Sequence, residues 1–432
     1  MLESTSVTRR TVIQVLIVLA LAGAAWAFLA AFAVRHGSFD LKVYYGAVNY
    51  WLHGDGLVYD YLKPYTKYGF TYPPFAALTM SPMGILPWWA VNALAIAGSV
   101  VAALVILDWY LRPLVDRYGW TRWFTVAVAA CFVAVFEPVR ETVSFGQVNL
   151  VLLLLVLADF RLLVGRGSRL GGVAVGLATA IKLTPGVFIL YLLVRRRYRA
   201  ALTACGTAAA ATVLAMLIAP DASREFWTDA LWDTDRVGTL AFISNQSLEG
   251  FVARLNPGHP STALWAALVL VTIGFWIWRV RRVDDRTGVA LTGVLACLIS
   301  PVTWIHHLVW LIPALLLLLD RGSRAPTRAR WAWLALVTGL YALLSSRFVW
   351  GYAGHYTGWG VLFSNAYAVA SVILLLVLPA EPSGKVPDVP QLGQVDDGAV
   401  GPGDRVAGPG PVGDEPDALV KPAGAVVVRQ HP

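Results

Sequence analysis

Nine apolar runs between positions 11 and 380 contain no Asp, Glu, Lys or Arg: 11–34, 68–107, 123–136, 142–158, 200–220, 255–278, 287–319, 331–346 and 348–380. A helix needs about 20 such residues to cross roughly 30 Å of hydrocarbon. Inside lipid each backbone polar group must find its partner within the segment, so runs of this kind become helices. With 57% apolar and 14% charged residues, the chain lacks the polar surface of a soluble fold of its length. Eighteen Trp and sixteen Tyr suit the two membrane–water interfaces. The sequence predicts an all-α polytopic membrane protein.

Where the charges fall sets the topology. The net charge of +8 does not mark a nucleic-acid binder, because the basic residues punctuate the apolar runs. Arg9 and Arg10, Arg112/Arg117/Arg122, Arg161/Arg166/Arg169, Arg195–Arg197 with Arg199, Arg279/Arg281/Arg282/Arg286 and Arg321/Arg324/Arg328/Arg330 together hold twenty of the 34 Lys and Arg. Placing all of them in the cytoplasm satisfies the positive-inside rule, with both termini inside. The run 11–34 is too long for the core of a cleaved signal peptide and is expected to stay as a signal anchor.

That placement leaves two intervals that begin and end on one face. Residues 170–194 are too few for two full spans, so a short hairpin is expected, with Ile181-Lys182-Leu183-Thr184-Pro185 at a sunken apex. Residues 287–319 would make a single helix of about 50 Å, too long to cross once. A break at Pro301 is expected, with Trp304, His306 and His307 at the apex. The total comes to about twelve membrane segments. Non-helical backbone at that depth needs protein or a water-filled cavity around it, so a cavity opening to the outer face is expected.

The outer loops carry the candidate chemistry. After Ser38, a possible cap, Leu41, Tyr44, Tyr45, Val48, Trp51 and Leu52 follow helical spacing, and Gly54 can end the helix. This predicts a helix lying in the outer interface with Asp40 in its first turn. There a carboxylate either supports the helix through its dipole or serves as a general base at a desolvated boundary. Lys182 either snorkels or offers a fixed positive charge to an anionic head group. The pair His306-His307 either packs or faces a polar ligand. Asp233-Thr234-Asp235 has a D-x-D spacing that chance also produces, and Glu137 is a further outer carboxylate. The glycines at 165, 167, 171 and 172 follow a membrane helix and not a strand, so they do not make a dinucleotide loop. Cys131, Cys205 and Cys297 lie in apolar runs and predict neither a metal site nor a disulfide framework. Residues 381–432 are rich in Pro and Gly and are expected to form a disordered cytoplasmic tail beyond a membrane body of residues 1–380.

Five segments in order give the chain a likeness: Phe39-Asp40-Leu41-Lys42-Val43-Tyr44; Phe70-Thr71-Tyr72-Pro73-Pro74-Phe75; Ser144-Phe145-Gly146-Gln147-Val148-Asn149; Ile181-Lys182-Leu183-Thr184-Pro185; and Ser300-Pro301 running into Trp304-Ile305-His306-His307. They resemble glycosyltransferase family 87, across about residues 10–380. The resemblance implies a GT-C fold and a polyprenyl-phosphate-mannose-dependent α-1,2-mannosyltransferase at the outer face of the plasma membrane. The acceptor it implies is a mannosylated phosphatidylinositol glycolipid or lipomannan. Asp40 then matches the superfamily's catalytic carboxylate, with His307 and His306 beside it. Lys182 and Arg140 are expected at the donor phosphate, and Tyr44, Tyr72, Trp304 and Asn149 at the sugars. No cofactor is implied, and a divalent metal is left open. The competing reading is a transporter or flippase of a polyprenyl-linked lipid, which would place its ionisable groups near the bilayer midplane.

Overall fold

In the computed structural model, residues 2–379 are described, apart from 234, 235 and 237. Asp235 of the D-x-D segment and the expected tail at 381–432 lie outside the described residues. The chain opens with α1 (Leu2–Phe32), then α2 (Phe39–Leu52), α3 (Pro74–Met80), α4 (Trp88–Tyr118), α5 (Arg122–Val135), α6 (Glu137–Phe145) and α7 (Asn149–Ala158). It continues through α8 (Val173–Ile181), α9 (Val187–Val194), α10 (Tyr198–Ile218), α11 (Pro220–Glu225) and α12 (Leu248–Leu255). The remainder is α13 (Thr262–Val280), α14 (Asp285–Ile299), α15 (Ile312–Arg324), α16 (Thr327–Ser345), α17 (Trp359–Ser364) and α18 (Ala366–Val377).

Five helical stretches among the described residues are long and apolar enough to cross a membrane, and six if α5 and α6, bent by 73°, count as one. The twelve expected segments are therefore not twelve spanning helices. Several runs fold instead as shorter helices, such as α8 with 9 residues, α9 with 8 and α14 with 15. In the first hairpin both arms, α8 and α9, turn back before reaching a full span.

Both hairpins are visible in backbone proximity. Gly172, at φ +102°, starts α8 so close to α10 that a Cβ there would collide with the Ala200 carbonyl. Residues 172 and 200 therefore share one end of the molecule, and α8 and α9 run out and back between them. Lys182 breaks the pair in extended backbone, and a 3-10 turn, Thr184–Gly186, reverses the chain. Asp159 anchors the start of α8 by accepting from the Gly172 and Val175 amides, each at 2.8 Å. In the second hairpin Cys297 Sγ lies 3.7 Å from the His307 carbonyl oxygen, and Gly293 has no room for a side chain against Trp310. Its returning arm begins as a 3-10 turn over Ile305–Leu311, so the break falls at Ser300–Trp304.

The arginine clusters gather at one end. Arg117 pairs with Asp320 at 3.1 Å, Arg195 with Asp285 at 2.9 Å, and Arg199 donates to the Ser168 carbonyl at 2.7 Å. Near the opposite end Tyr45 of α2 packs on Trp88 at 5.5 Å, at the start of α4. The 31 residues of α4 thus separate the two ends by about 45 Å.

Helix α2 forms for the expected reason, but its start differs. Leu41, Tyr44, Ala47 and Val48 bury one face against Val58, Tyr59, Phe70 and Tyr72. Ser38 does not cap it. Its backbone is left-handed (φ 56°), its amide donates to the Ser144 carbonyl at 2.8 Å, and its hydroxyl donates to Asn92 at 2.7 Å. Gly146 permits this close seam with α6, because a Cβ there would sit 2.5 Å from Leu41 Cβ.

Candidate active site

At the end of the molecule away from the arginines, a cavity of about 730 Å³ opens between α2, α6, the two hairpin apices and the 226–244 segment. Asp40, Tyr44, Tyr72, Lys182, Trp304 and both histidines line it. One wall is held by the fully buried Arg254, which donates to the Phe242 carbonyl at 3.0 Å and the Asn245 carbonyl at 2.7 Å.

Asp40 and Lys182 are joined through two side chains. Tyr44 and Lys182 both donate to the hydroxyl oxygen of Tyr72, at 3.0 and 3.3 Å. The Tyr72 proton therefore points to Gln147 Oε1, 2.7 Å away. With its oxygen engaged, the Gln147 amide must present Nε2 to Asp40, and it donates to Oδ2 at 2.6 Å. The direction of each bond is fixed by the one before it. Asp40 Oδ1 is the carboxylate oxygen left for the cavity.

Two oppositely charged groups at one site move each other's ionisation, yet burial dominates here. Withdrawal from water raises the Asp40 carboxyl to about 6, against the opposing pull of Gln147, Lys182 and His36. The same withdrawal lowers the Lys182 ammonium to about 7, with Asp40 opposing. Both groups are thus set near neutral pH, where a base and a cation exchange protons readily.

Lys182 also donates to Asn149 Oδ1 at 2.9 Å and lies 3.0 Å from His307 Nε2. The His307 ring is held from its other side by the Trp304 amide, 3.2 Å from Nδ1. His306 is held by its backbone, whose carbonyl accepts from Thr142 at 3.0 Å and Asn149 at 3.2 Å. Its ring Nε2 is buried and has no partner.

Two expected roles need correction. Arg140 does not reach the cavity: its guanidinium packs over Phe28 at 5.5 Å and donates to the Val135 carbonyl at 2.9 Å. The bend between α5 and α6 turns it toward α1. Asn149, 1% exposed, is not placed to touch a sugar in the main cavity; its amide ties Lys182 to the His306 backbone. Glu137 is likewise turned inward, accepting from Trp350 at 2.7 Å and Tyr367 at 2.5 Å. Asp233 lines the cavity rim and pairs with Arg236 at 3.3 Å. Among the described residues no three His, Cys, Asp or Glu side chains converge to hold a metal ion.

Gln147, His36, Glu141 and Arg347 were not foreseen. Gln147 stood inside one of the recognised segments, and its place beside Asn149 before an apolar run was its available signal. The directed bonds make a testable statement about it. Replacing Gln147 with Leu removes a donor that stabilises ionised Asp40, so the Asp40 pKa rises. The acid limb of a kcat/KM profile should move to higher pH by about one unit. A profile that only drops in height, with its limb unmoved, would show that Gln147 merely packs.

The sequence matches the model of glycosyltransferase family 87 over residues 70–301, more than half the chain. That stretch contains Tyr72, Gln147, Asn149 and Lys182, while Asp40, His306 and His307 lie outside it. The chain is 34% identical to a polyprenol-phosphate-mannose-dependent alpha-(1-2)-phosphatidylinositol mannoside mannosyltransferase of Mycobacterium tuberculosis, over 69% of this chain and 74% of the relative. It is 35% identical to a polyprenol-phosphate-mannose-dependent alpha-(1-2)-phosphatidylinositol pentamannoside mannosyltransferase of Mycolicibacterium smegmatis, over 77% of this chain and 82% of the relative. A more distant likeness, 25% identity over 68% of this chain, is to an alpha-(1->3)-arabinofuranosyltransferase of Corynebacterium glutamicum. No solved structure matches it significantly. Spanning helices, a cavity lined by Asp40, Lys182 and two histidines, and these matches agree: the chain belongs to glycosyltransferase family 87, a family of membrane glycosyltransferases.

Proposed function

We propose that this protein transfers mannose from polyprenyl-phosphate-mannose, in α-1,2 linkage, to a mannosylated phosphatidylinositol glycolipid. We place the reaction at the outer face of the plasma membrane. The names of the relatives support the donor and the acceptor class. The observation that carries the chemistry is the directed chain from Lys182 through Tyr72 and Gln147 to Asp40 along one cavity wall. It sets a carboxylate base and a cation a fixed distance apart, as a single displacement requires.

In this reading the acceptor hydroxyl gives its proton to Asp40 as its oxygen bonds to C1 of the donor mannose. The bond from C1 to the phosphate oxygen breaks, and its electron pair leaves with the polyprenyl phosphate. Lys182 and the His307 ring stabilise that growing charge. Attack opposite the phosphate converts a β-linked donor into an α product. The positive-inside rule favours the arginine-rich end in the cytoplasm, which supports a cavity at the outer face.

Purified protein in liposomes, given polyprenyl-phosphate-mannose and phosphatidylinositol mannosides, should form a product sensitive to an α-1,2-specific mannosidase. Donor binding without turnover on any such acceptor would favour a lipid carrier. In intact cells a Tyr65→Cys variant lacking the native cysteines should react with an impermeant maleimide. Reaction only after permeabilisation would invert the orientation.

A further inference from the structure

A second group of buried polar side chains meets the same cavity beside the Asp40–Lys182 wall. Glu141, 3% exposed, lies 2.8 Å from His36 Nε2 through one oxygen and accepts from Arg347 at 3.0 Å through the other. His36 stacks on Phe145 at 3.8 Å, and Phe145 packs on His306 at 5.3 Å. Trp350, stacked under Arg347 at 4.6 Å, closes the patch. His36, Glu141, Phe145, His306 and Trp350 all line the cavity. The mechanism above uses none of His36, Glu141 or Trp350.

Two observations ask for a ligand here. His306 lines the cavity and is 95% buried, yet its buried Nε2 has no partner, and buried polar groups rarely stay unpaired. Glu141 is held by Arg347, which fixes a carboxylate at a cavity wall, and the buried His36 Nε2 beside it has no hydrogen-bond partner. The sign of the charge then selects the ligand. An anionic phosphate is drawn to Lys182, whereas the charge of Glu141 is already offset by Arg347, so the Glu141 side suits a neutral group rich in hydroxyls. A carboxylate and an imidazole for hydroxyl groups, with aromatic faces for a ring, are complementary to a hexose.

We propose that Glu141, His36, His306 and Trp350 form a hexose-binding wall, resting on the mannosyltransferase reading given above. The hexose is either the mannose of the donor or the terminal sugar of the acceptor, and kinetics separate the two. Arg347 acts through Glu141 as a positioning residue.

Glu141→Gln keeps the size of the side chain and weakens its acceptor strength. It should raise the KM of one hexose-bearing substrate at least about tenfold. A rise for the donor assigns the wall to its mannose, and a rise for the acceptor assigns it to the terminal sugar. Inhibition by polyprenyl phosphate, which carries no hexose, should stay within about twofold. Unchanged KM values for both substrates, or weakened polyprenyl phosphate inhibition to the same degree, would overturn the proposal. A measurement on the unaltered protein does not depend on turnover or on a variant's folding. Acylation of His36 by diethyl pyrocarbonate, mapped by mass spectrometry, should slow in the presence of methyl α-mannoside. If it slows while no mannose is transferred, the wall stands and the catalytic reading falls. If acylation is unaffected by the sugar, the wall is refuted.

Discussion

Asp40→Asn should yield a folded protein that still binds donor but turns over at least about a hundredfold more slowly. Asn keeps the side chain's shape and still accepts from Gln147, but it cannot take a proton from a hydroxyl. A positioned base contributes typically 10²–10⁴ in rate, or about 3–5 kcal/mol of barrier. The competing role, a negative charge in the first turn of α2, is worth only about 0.3–1 kcal/mol of stability. The two roles therefore predict losses in different quantities. The pH profile adds a second check: the base must be ionised, so kcat/KM should fall as pH drops through about 6. A folded Asp40→Asn protein that retains a tenth of wild-type turnover would leave Asp40 as a helix support. The base would then be sought at Glu141 or Asp233, since Glu137 faces the interior.

Lys182→Met should be nearly as damaging. Met fills similar space but removes the charge that meets the departing phosphate, an interaction typically worth 10²–10³ in rate. Turnover should fall at least about a hundredfold. The sign of the pH effect is opposite to that of Asp40. The Lys182 ammonium is present below about 7 and is lost above it, so wild-type activity should decline on the alkaline side. Together the two groups give a narrow bell, and Lys182→Met should abolish its alkaline limb. Persistence of that limb in the variant would assign it to another group.

How much of this was legible beforehand depends on the range of the information. The α2 helix followed from apolar spacing within fourteen residues, and both hairpins followed from charge placement and the length of a span. Asp40, Lys182 and the histidines, which line the cavity, stood out because polar groups in a membrane chain concentrate where apolar runs are interrupted. Arg140 was misjudged because its direction depends on a 73° bend that composition does not encode. Ser38 was misjudged because a distant backbone carbonyl, on Ser144, takes the amide that its helix start presents. Glu141 and Arg347 stand 206 positions apart, and no local pattern announces such a pair.

The short arms of the first hairpin also bear on how rates are to be expressed. Nine residues of α8 rise only about 14 Å, about half of a roughly 30 Å hydrocarbon layer, so the hairpin that carries Lys182 is too short to cross it. Substrates anchored by lipid tails then meet the site by diffusing in the plane of the bilayer, without passing through water. Their effective concentration is a surface density. Diluting donor and acceptor with inert phospholipid at constant bulk concentration should slow the reaction, while diluting the whole vesicle suspension should leave turnover per protein unchanged.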